Sequence, residues 1–487
     1  MTTVREQVLK HVVSFSFASI IGGVGGFLAS YFAARVLGPT LWGVWLGAKL
    51  VLVYGVTLQL GVRDGMHREV PILRGRKNVE KQASVINATF SFSLVAATVV
   101  SLGVLLSTFI LRLTPELKIS LRFIAGMIFL MYIQTFYAIL FRVYNEFSTV
   151  SWLSILDGLG NVLSVILTLF YGLMGFLWGQ LLRLVVVVGF SYWKSSFTLN
   201  WSWNRSVLKA LILIGFPIMI INLTEFALTT VDRLLILRFL NSTALGLYGL
   251  GNLTFTPVLM LLSVGSAIMY TRFGEKYGET SSKATLMRYL KVPMENLALV
   301  TPIVVGLIFL ALPLFSRVFL PEYSEGIVPA RILMFGLLFY AMAVMPGNML
   351  LTLNRQRLRL LILSFSIILN LGLSYAALAC GYGIVGVAAG TTLAYFAFFM
   401  AILTATTRQI GASFREVLVL FAKLLGPAAY VGTVTLLVDR FIIQALGMPP
   451  SLLIRTLIAE GVLIASTIYL IYKAFAGTIR GIFFKAE

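Results

Sequence analysis

The chain has 487 residues, 59% of them hydrophobic and 11% charged, with a net charge of +20 and a mean hydropathy of +0.95. A soluble core of this length cannot hide so many apolar side chains, which excludes a soluble enzyme and makes this an all-α integral membrane protein. The single cysteine, Cys380, excludes an intramolecular disulfide framework.

Apolar stretches of about 20 residues, the length that crosses a bilayer, are taken in chain order. The first two are 12–36 and 40–62, preceded by MTTVREQVLKH without a small-residue cleavage site, so the first helix is expected to stay as an anchor. A basic loop at 63–82 leads to spans at 83–111, 120–141, 150–171 and 174–193. Spans at 210–237 and 245–271 follow, then a second basic loop over 272–291 and spans at 293–316, 330–352, 360–380 and 383–405. Spans at 417–438 and 452–474 close the chain, giving about fourteen transmembrane helices. The basic loops carry Arg63, Arg68, Arg74, Arg76, Lys77 and Lys81, and Arg272, Lys276, Lys283, Arg288 and Lys291. The positive-inside rule then places both termini in the cytoplasm. The same distribution assigns the net charge to topology and anionic membrane lipids, not to nucleic acid.

The sequence repeats itself. RVLGPTLWGVW at 35–45 returns as RFLNSTALGLY at 238–248, pairing Arg35, Leu37, Thr40 and Gly43 with Arg238, Leu240, Thr243 and Gly246. Asn145 and Asn161 pair with Asn354 and Asn370, and Gly172, Gly175 and Gly179 with Gly383, Gly386 and Gly390. Two related lobes of six helices are expected, over residues 1–200 and 201–410, with two trailing helices over 411–487. Such duplication is a transporter signature, with the substrate path where the lobes meet.

Ionisable groups inside spans cost about 2.5–3.5 kcal/mol on insertion scales, so each is a functional candidate. Arg35 and Arg238 stand at span ends, where snorkelling to head groups is the plain reading. Lys49, Asp157 and Arg183 lie deeper. The span at 210–237 holds Asn222, Glu225, Asp232 and Arg233, and the spacings of three and seven predict Asn222, Glu225 and Asp232 on one polar face beside a water-filled cavity. Arg35, Lys49, Arg183, Arg233 and Arg238 are the expected substrate-binding cations; Asp157, Asn222, Glu225 and Asp232 are the expected cavity or ion-coupling groups. The balance favours an anionic substrate. Lys423 and Glu460 are expected to neutralise each other. Pro217, Pro257, Pro302, Pro313, Pro346 and Pro427 predict kinks in the second half, whereas Pro39, Pro71 and Pro115 fall in loops. The glycine run at Gly22, Gly23, Gly25 and Gly26 lacks the strand and Lys-Ser/Thr of a phosphate loop and reads as close helix packing. His11 and His67 have no metal-ligand spacing. No cofactor, metal site or catalytic residue is expected. A membrane glycosyltransferase would want acidic residues in a sizeable outer loop, and Glu116, Glu322, Glu325 and Asp439 are scattered over short ones.

AARVLGPTLWGVW, VDRLLILRFLNSTALGLYGLGN, the Gly-Phe-Pro217 opening and the two G-x-x-G-x-x-x-G patterns resemble the polysaccharide flippases of the multidrug/oligosaccharidyl-lipid/polysaccharide exporter superfamily, including the Wzx-type O-antigen flippases. The resemblance implies export of an anionic, polyprenyl-diphosphate-linked oligosaccharide from the cytoplasmic to the outer leaflet of the inner membrane by alternating access. Arg35 and the Asp232-Arg233 pair sit in matching motifs; Lys49, Arg183 and Glu225 are chosen by depth. A functional monomer working beside glycan polymerase or ligase machinery is expected. Within the superfamily, a lipid II flippase and a cation-coupled multidrug antiporter are the rival readings.

Overall fold

The computed structural model describes residues 4–254, 283–444 and 452–483, and among them every regular element is helical. In chain order these are α1 (Val4–Thr57), α2 (Val62–Gly75), α3 (Val79–Ile110), α4 (Pro115–Val143), α5 (Phe147–Lys194), α6 (Arg205–Leu228), α7 (Val231–Phe239) and α8 (242–254). They continue as α9 (Lys283–Phe319), α10 (Ile327–Thr352), α11 (Gln356–Ala379), α12 (Gly383–Gln409), α13 (Phe414–Val438) and α14 (Leu452–Phe483). Polar residues start several of them. Asn78 accepts the Lys81 N–H, Asn204 those of Ser206 and Val207, and Ser413 and Glu416 form a reciprocal capping box.

Eleven stretches of the described helices are long and apolar enough to cross a membrane. Two of these, Gly22–Thr57 with 36 residues and Phe147–Lys194 with 48, correspond to about 54 and 72 Å of helix against a hydrocarbon core of about 30 Å. Each is broken by a glycine, Gly38 (φ 68°) in α1 and Gly172 (φ 55°) in α5, so each supplies two crossings. The expected span at 245–271 lies largely outside the described residues, as does most of the 272–291 loop and Pro257.

Several expectations change. The segment from Arg63 is not a loop: α2 buries Val62, Met66, Val70 and Leu73 on one face against Phe136, Leu140 and Leu211. Pro71 lies inside α2, Pro39 inside α1 just after Gly38, and Pro115 in the first turn of α4. The non-helical breaks within α1 and α5 fall at glycines, because positive φ is open to glycine and closed to proline.

The chain divides into two compact units, Met1–Gly246 and Leu247–Glu487. Internal duplication is legible in their local geometry. Asn145 (φ 60°) and Asn354 (φ 56°) take the same left-handed turn, before α5 and α11 respectively, and Gly172 (φ 55°) and Gly383 (φ 53°) match as well. Gln180 donates to Asn161 Oδ1 at 3.1 Å, tying the halves of α5; Thr391 donates to the equivalent Asn370 Oδ1 at 3.2 Å, tying α12 to α11. The glycines predicted to let helices approach do so: Gly179 faces Ser164 and Gly390 faces Ser374, at Cβ distances of 2.3 and 3.0 Å. In α1, Gly22 and Gly25 pack on Ser154 and Gly158 of α5, the packing role expected of that run.

The repeated motif also meets its own copy. Thr40 and Thr243 share a hydrogen bond of 2.9 Å. A Cβ on Gly43 would stand 1.7 Å from the Ser242 carbonyl oxygen, and one on Gly246 would stand 1.8 Å from that of Pro39. Pro39 and Ser242 are themselves repeat equivalents, so the contact is nearly two-fold.

In the second unit, Arg331 binds Asp439 at 2.7 and 3.1 Å and lies over the Phe309 ring at 4.2 Å. Asp439 is therefore a buried, paired carboxylate, not one free in an outer loop. Lys423 pairs with Glu295 of α9 at 3.5 Å, in place of the expected Glu460. An apolar cavity of about 330 Å³ opens between α9, α10 and α13, lined in part by Phe309, Phe335, Phe339, Leu425 and Thr435.

Candidate functional site

Lys49 is the most telling residue of the first unit. Every residue from Trp42 to Ala48 is buried, Leu50 is buried, and Lys49 between them is exposed. The charges acting on it are Arg233 and then Arg183. The cations that act together here come from three separate stretches of sequence: α1, the second half of α5, and α7.

Asp157 is tied directly to this set through Arg183. Arg183 Nη1 donates to Asp157 Oδ1 in an ion pair that joins the two halves of α5 across the Gly172 break. Gly160 makes room for it, since a Cβ there would fall 2.4 Å from Arg183 Cγ. The Arg183 Nε is shielded from solvent without a hydrogen-bond acceptor among the described residues. A polar ladder holds the pair's frame: Asn161 Nδ2 donates to the Asp157 carbonyl at 2.9 Å, and Gln180 Nε2 donates to Asn161 Oδ1 and to Ser164 Oγ at 3.1 and 3.0 Å. Lys49, Arg183 and Arg233 make this set rich in cations, with Asp157 paired to Arg183.

Asp157→Asn removes the carboxylate paired with Arg183, which then repels Lys49 without that compensation. Asp157 is 32% exposed and Arg183 14%, so the loss is expected to be smaller than for a fully buried pair, about 1–2 kcal/mol. Thermal unfolding of D157N should show a lowered midpoint, partly restored in D157N/R183Q. Equal midpoints for D157N and wild type would show that the pair contributes nothing to the fold.

The other sequence-predicted residues stand differently. Arg35 is exposed, beside Tyr31 one turn earlier, and Arg238 is exposed and lies 5.6 Å from the Phe239 ring centre. The Asn222, Glu225 and Asp232 stripe was expected on one continuous helix, but α6 ends at Leu228 and α7 begins at Val231. Spacing across that break no longer measures a helical face. Asn222 is exposed, Glu225 half-buried and Asp232 buried. Asp232 Oδ1 accepts the Arg233 N–H at 2.9 Å, placing a carboxylate at the positive end of α7 and so helping to set where Arg233 starts. The break itself is tied to α1, because Tyr54 and Thr230 hydroxyls share a hydrogen bond of 2.7 Å and Tyr54 packs edge-on to Phe226.

Sequence reasoning missed Gln180, Tyr54 and Thr230. Gln180 had a usable signal, since it is the repeat equivalent of Thr391 in the Asn-centred tie; Tyr54 and Thr230, 176 residues apart, had none.

Residues 32–329 match the family described as polysaccharide biosynthesis protein, and the chain belongs to that family. No curated protein matches it in sequence. Its fold is similar to the lipid II flippase MurJ in an inward closed conformation, with a TM-score of 0.70 at 16% identity over 96% of this chain and 100% of that one. It is also similar to an inward-facing multidrug resistance MATE family transporter of the MOP superfamily, with a TM-score of 0.68 at 17% identity over 81% and 98%. A MOP superfamily transporter from Pyrococcus furiosus, described by the reverse polarity of its binding pocket, matches at 0.58 and 18% over 83% and 96%. These likenesses place the chain in the fold of the MOP superfamily transporters.

Proposed function

We propose that this member of the polysaccharide biosynthesis family flips a polyprenyl-diphosphate-linked oligosaccharide from the cytoplasmic to the outer leaflet of the inner membrane by alternating access. The observation that carries the reading is the Lys49, Arg183 and Arg233 set, drawn from α1, α5 and α7 and opposed by Asp157. A diphosphate is the complementary charge. The lipid tail stays in hydrocarbon while the head group crosses a polar cavity, which avoids the cost of burying sugar hydroxyls and phosphates among apolar groups. No covalent bond changes. An anion leaving a negative interior gains about 2.3 kcal/mol per charge per 100 mV, so a dianionic head group gains about 4–5 kcal/mol without ATP.

The lipid II flippase reading shares the anionic diphosphate and differs in the glycan. A cation antiporter wants an acidic cavity, and the gathering of Lys49, Arg183 and Arg233 weighs against it. The test is movement of a fluorescent undecaprenyl-diphosphate oligosaccharide between leaflets of proteoliposomes, with and without an imposed potential. Protein-dependent movement that speeds up when the substrate-loaded side is negative is expected. Absence of movement, beside uptake of a cationic dye, would replace this reading with the antiporter.

A further inference from the structure

A second basic cluster stands where α1 runs out and α2 begins. The Tyr132 hydroxyl of α4 donates to the Gly55 and Leu58 carbonyls at 2.9 and 3.1 Å, pinning the end of α1. Gly61 (φ 75°) then turns the chain into α2 against Gly215 of α6, with no room for a Cβ on either. Arg63 follows in the first turn of this 14-residue helix, whose amino-terminal end itself favours anions.

The Arg63 Nε and Nη1 are shielded from solvent and meet no hydrogen-bond acceptor among the described residues. Leaving charged donors without an acceptor is unfavourable, a state that an anionic ligand would relieve. His67 lies one turn further along α2 on the same face. Burial holds its imidazole below the usual range, Arg142 at the end of α4 pushes the same way, Asp64 opposes and Arg63 adds a smaller push down. Arg142 and His67 are both exposed, so a ligand can reach them. The charges acting on His67 share no member with Arg233 and Arg183, which act on Lys49.

We infer that Arg63, His67 and Arg142 form a binding site for a phosphate group, separate from the Lys49 cluster. Asp64 limits its charge to one net positive with His67 neutral, which suits a phosphodiester or one end of a diphosphate. The inference rests on the proposed function only for its sidedness: there, this end of the unit faces the cytoplasm, where a lipid-linked diphosphate is loaded. The same chemistry fits a resident anionic phospholipid.

The test uses full-length protein carrying K49Q in detergent micelles, so that Lys49 does not contribute, and titrates inorganic pyrophosphate and, separately, phosphatidylglycerol against a phosphatidylcholine background. Adding R63Q or R142Q is expected to weaken binding at least ten-fold. Weakening for both probes assigns the site to the phosphate group whatever carries it; weakening for phosphatidylglycerol alone assigns it to a lipid head group, and for pyrophosphate alone to a diphosphate. Arg142 is exposed, so R142Q tests the site without disturbing the core. Equal affinity for both probes in K49Q and K49Q/R142Q overturns the inference. Since the measurement needs no transport, failure of the flipping reading leaves it unchanged.

Discussion

Lys49→Gln is expected to lower the rate of lipid-linked glycan flipping by about 10- to 150-fold, the equivalent of one charge-assisted hydrogen bond of about 1.5–3 kcal/mol. The side chain is the only exposed one in the run from Trp42 to Leu50 and feels Arg233 and Arg183, so its ammonium is accessible and its nearest charges are repulsive. Glutamine keeps the length and removes the charge. Because the lost charge was repelled by two neighbours, the fold should not suffer, and the thermal midpoint of K49Q should equal or exceed that of wild type. Rates are read in proteoliposomes under a fixed potential, with midpoints taken on the same preparations. A wild-type rate in K49Q would remove Lys49 from the substrate path. A lowered midpoint would mean that the residue holds the fold, and that any loss of transport is secondary.

Gly43→Ala should have the largest structural effect of any single methyl group added to the repeated motif. The new Cβ would lie 1.7 Å from the Ser242 carbonyl oxygen, 2.6 Å from its carbonyl carbon and 2.9 Å from the Gly246 nitrogen. All three are backbone atoms, so no rotamer change relieves the clash and the two motif copies must move apart. Overpacking of this kind costs about 1–3 kcal/mol, and the upper end is expected where only backbone can yield. Gly246→Ala should behave alike, its Cβ meeting the Pro39 oxygen at 1.8 Å. With Cys380 replaced by serine, cysteines at positions 40 and 243, whose native hydroxyls are 2.9 Å apart, should cross-link under oxidation, and G43A should reduce both the cross-link and the thermal midpoint. Undiminished cross-linking in G43A would mean that the close approach is not required.

Both predictions rest on features that the sequence displays unequally. The motif pair was legible because duplication leaves matching letters, and the structure shows why those letters matter: Thr40 and Thr243 bond each other, and Gly43 and Gly246 make their reciprocal approach possible. The left-handed pairs Asn145 with Asn354 and Gly172 with Gly383 were visible as matches too, since few residue types tolerate positive φ. The spacing of Asn222 and Glu225 stays within α6, but its extension to Asp232 crosses a break, because helical periodicity holds only within an unbroken helix and the turn at Thr229–Thr230 carries neither glycine nor proline to announce it. The amphipathic α2 was hidden in a run whose charges suggested a loop, although Val62, Met66, Val70 and Leu73 already recur at helical spacing.

The sequence by itself determined that the chain lies in a membrane, that it is helical, about how many times it crosses, and that it was built by duplication. Hydropathy, span length and repeated letters are local properties, and the bilayer admits few backbone solutions to them. Only the tertiary structure decided which charges act together. Lys49, Arg183 and Arg233 come from positions far apart in the chain, Lys423 chose Glu295 and Asp439 chose Arg331. Electrostatic partnership depends on distance and burial in space, and neither is encoded in the spacing of residues along separate helices.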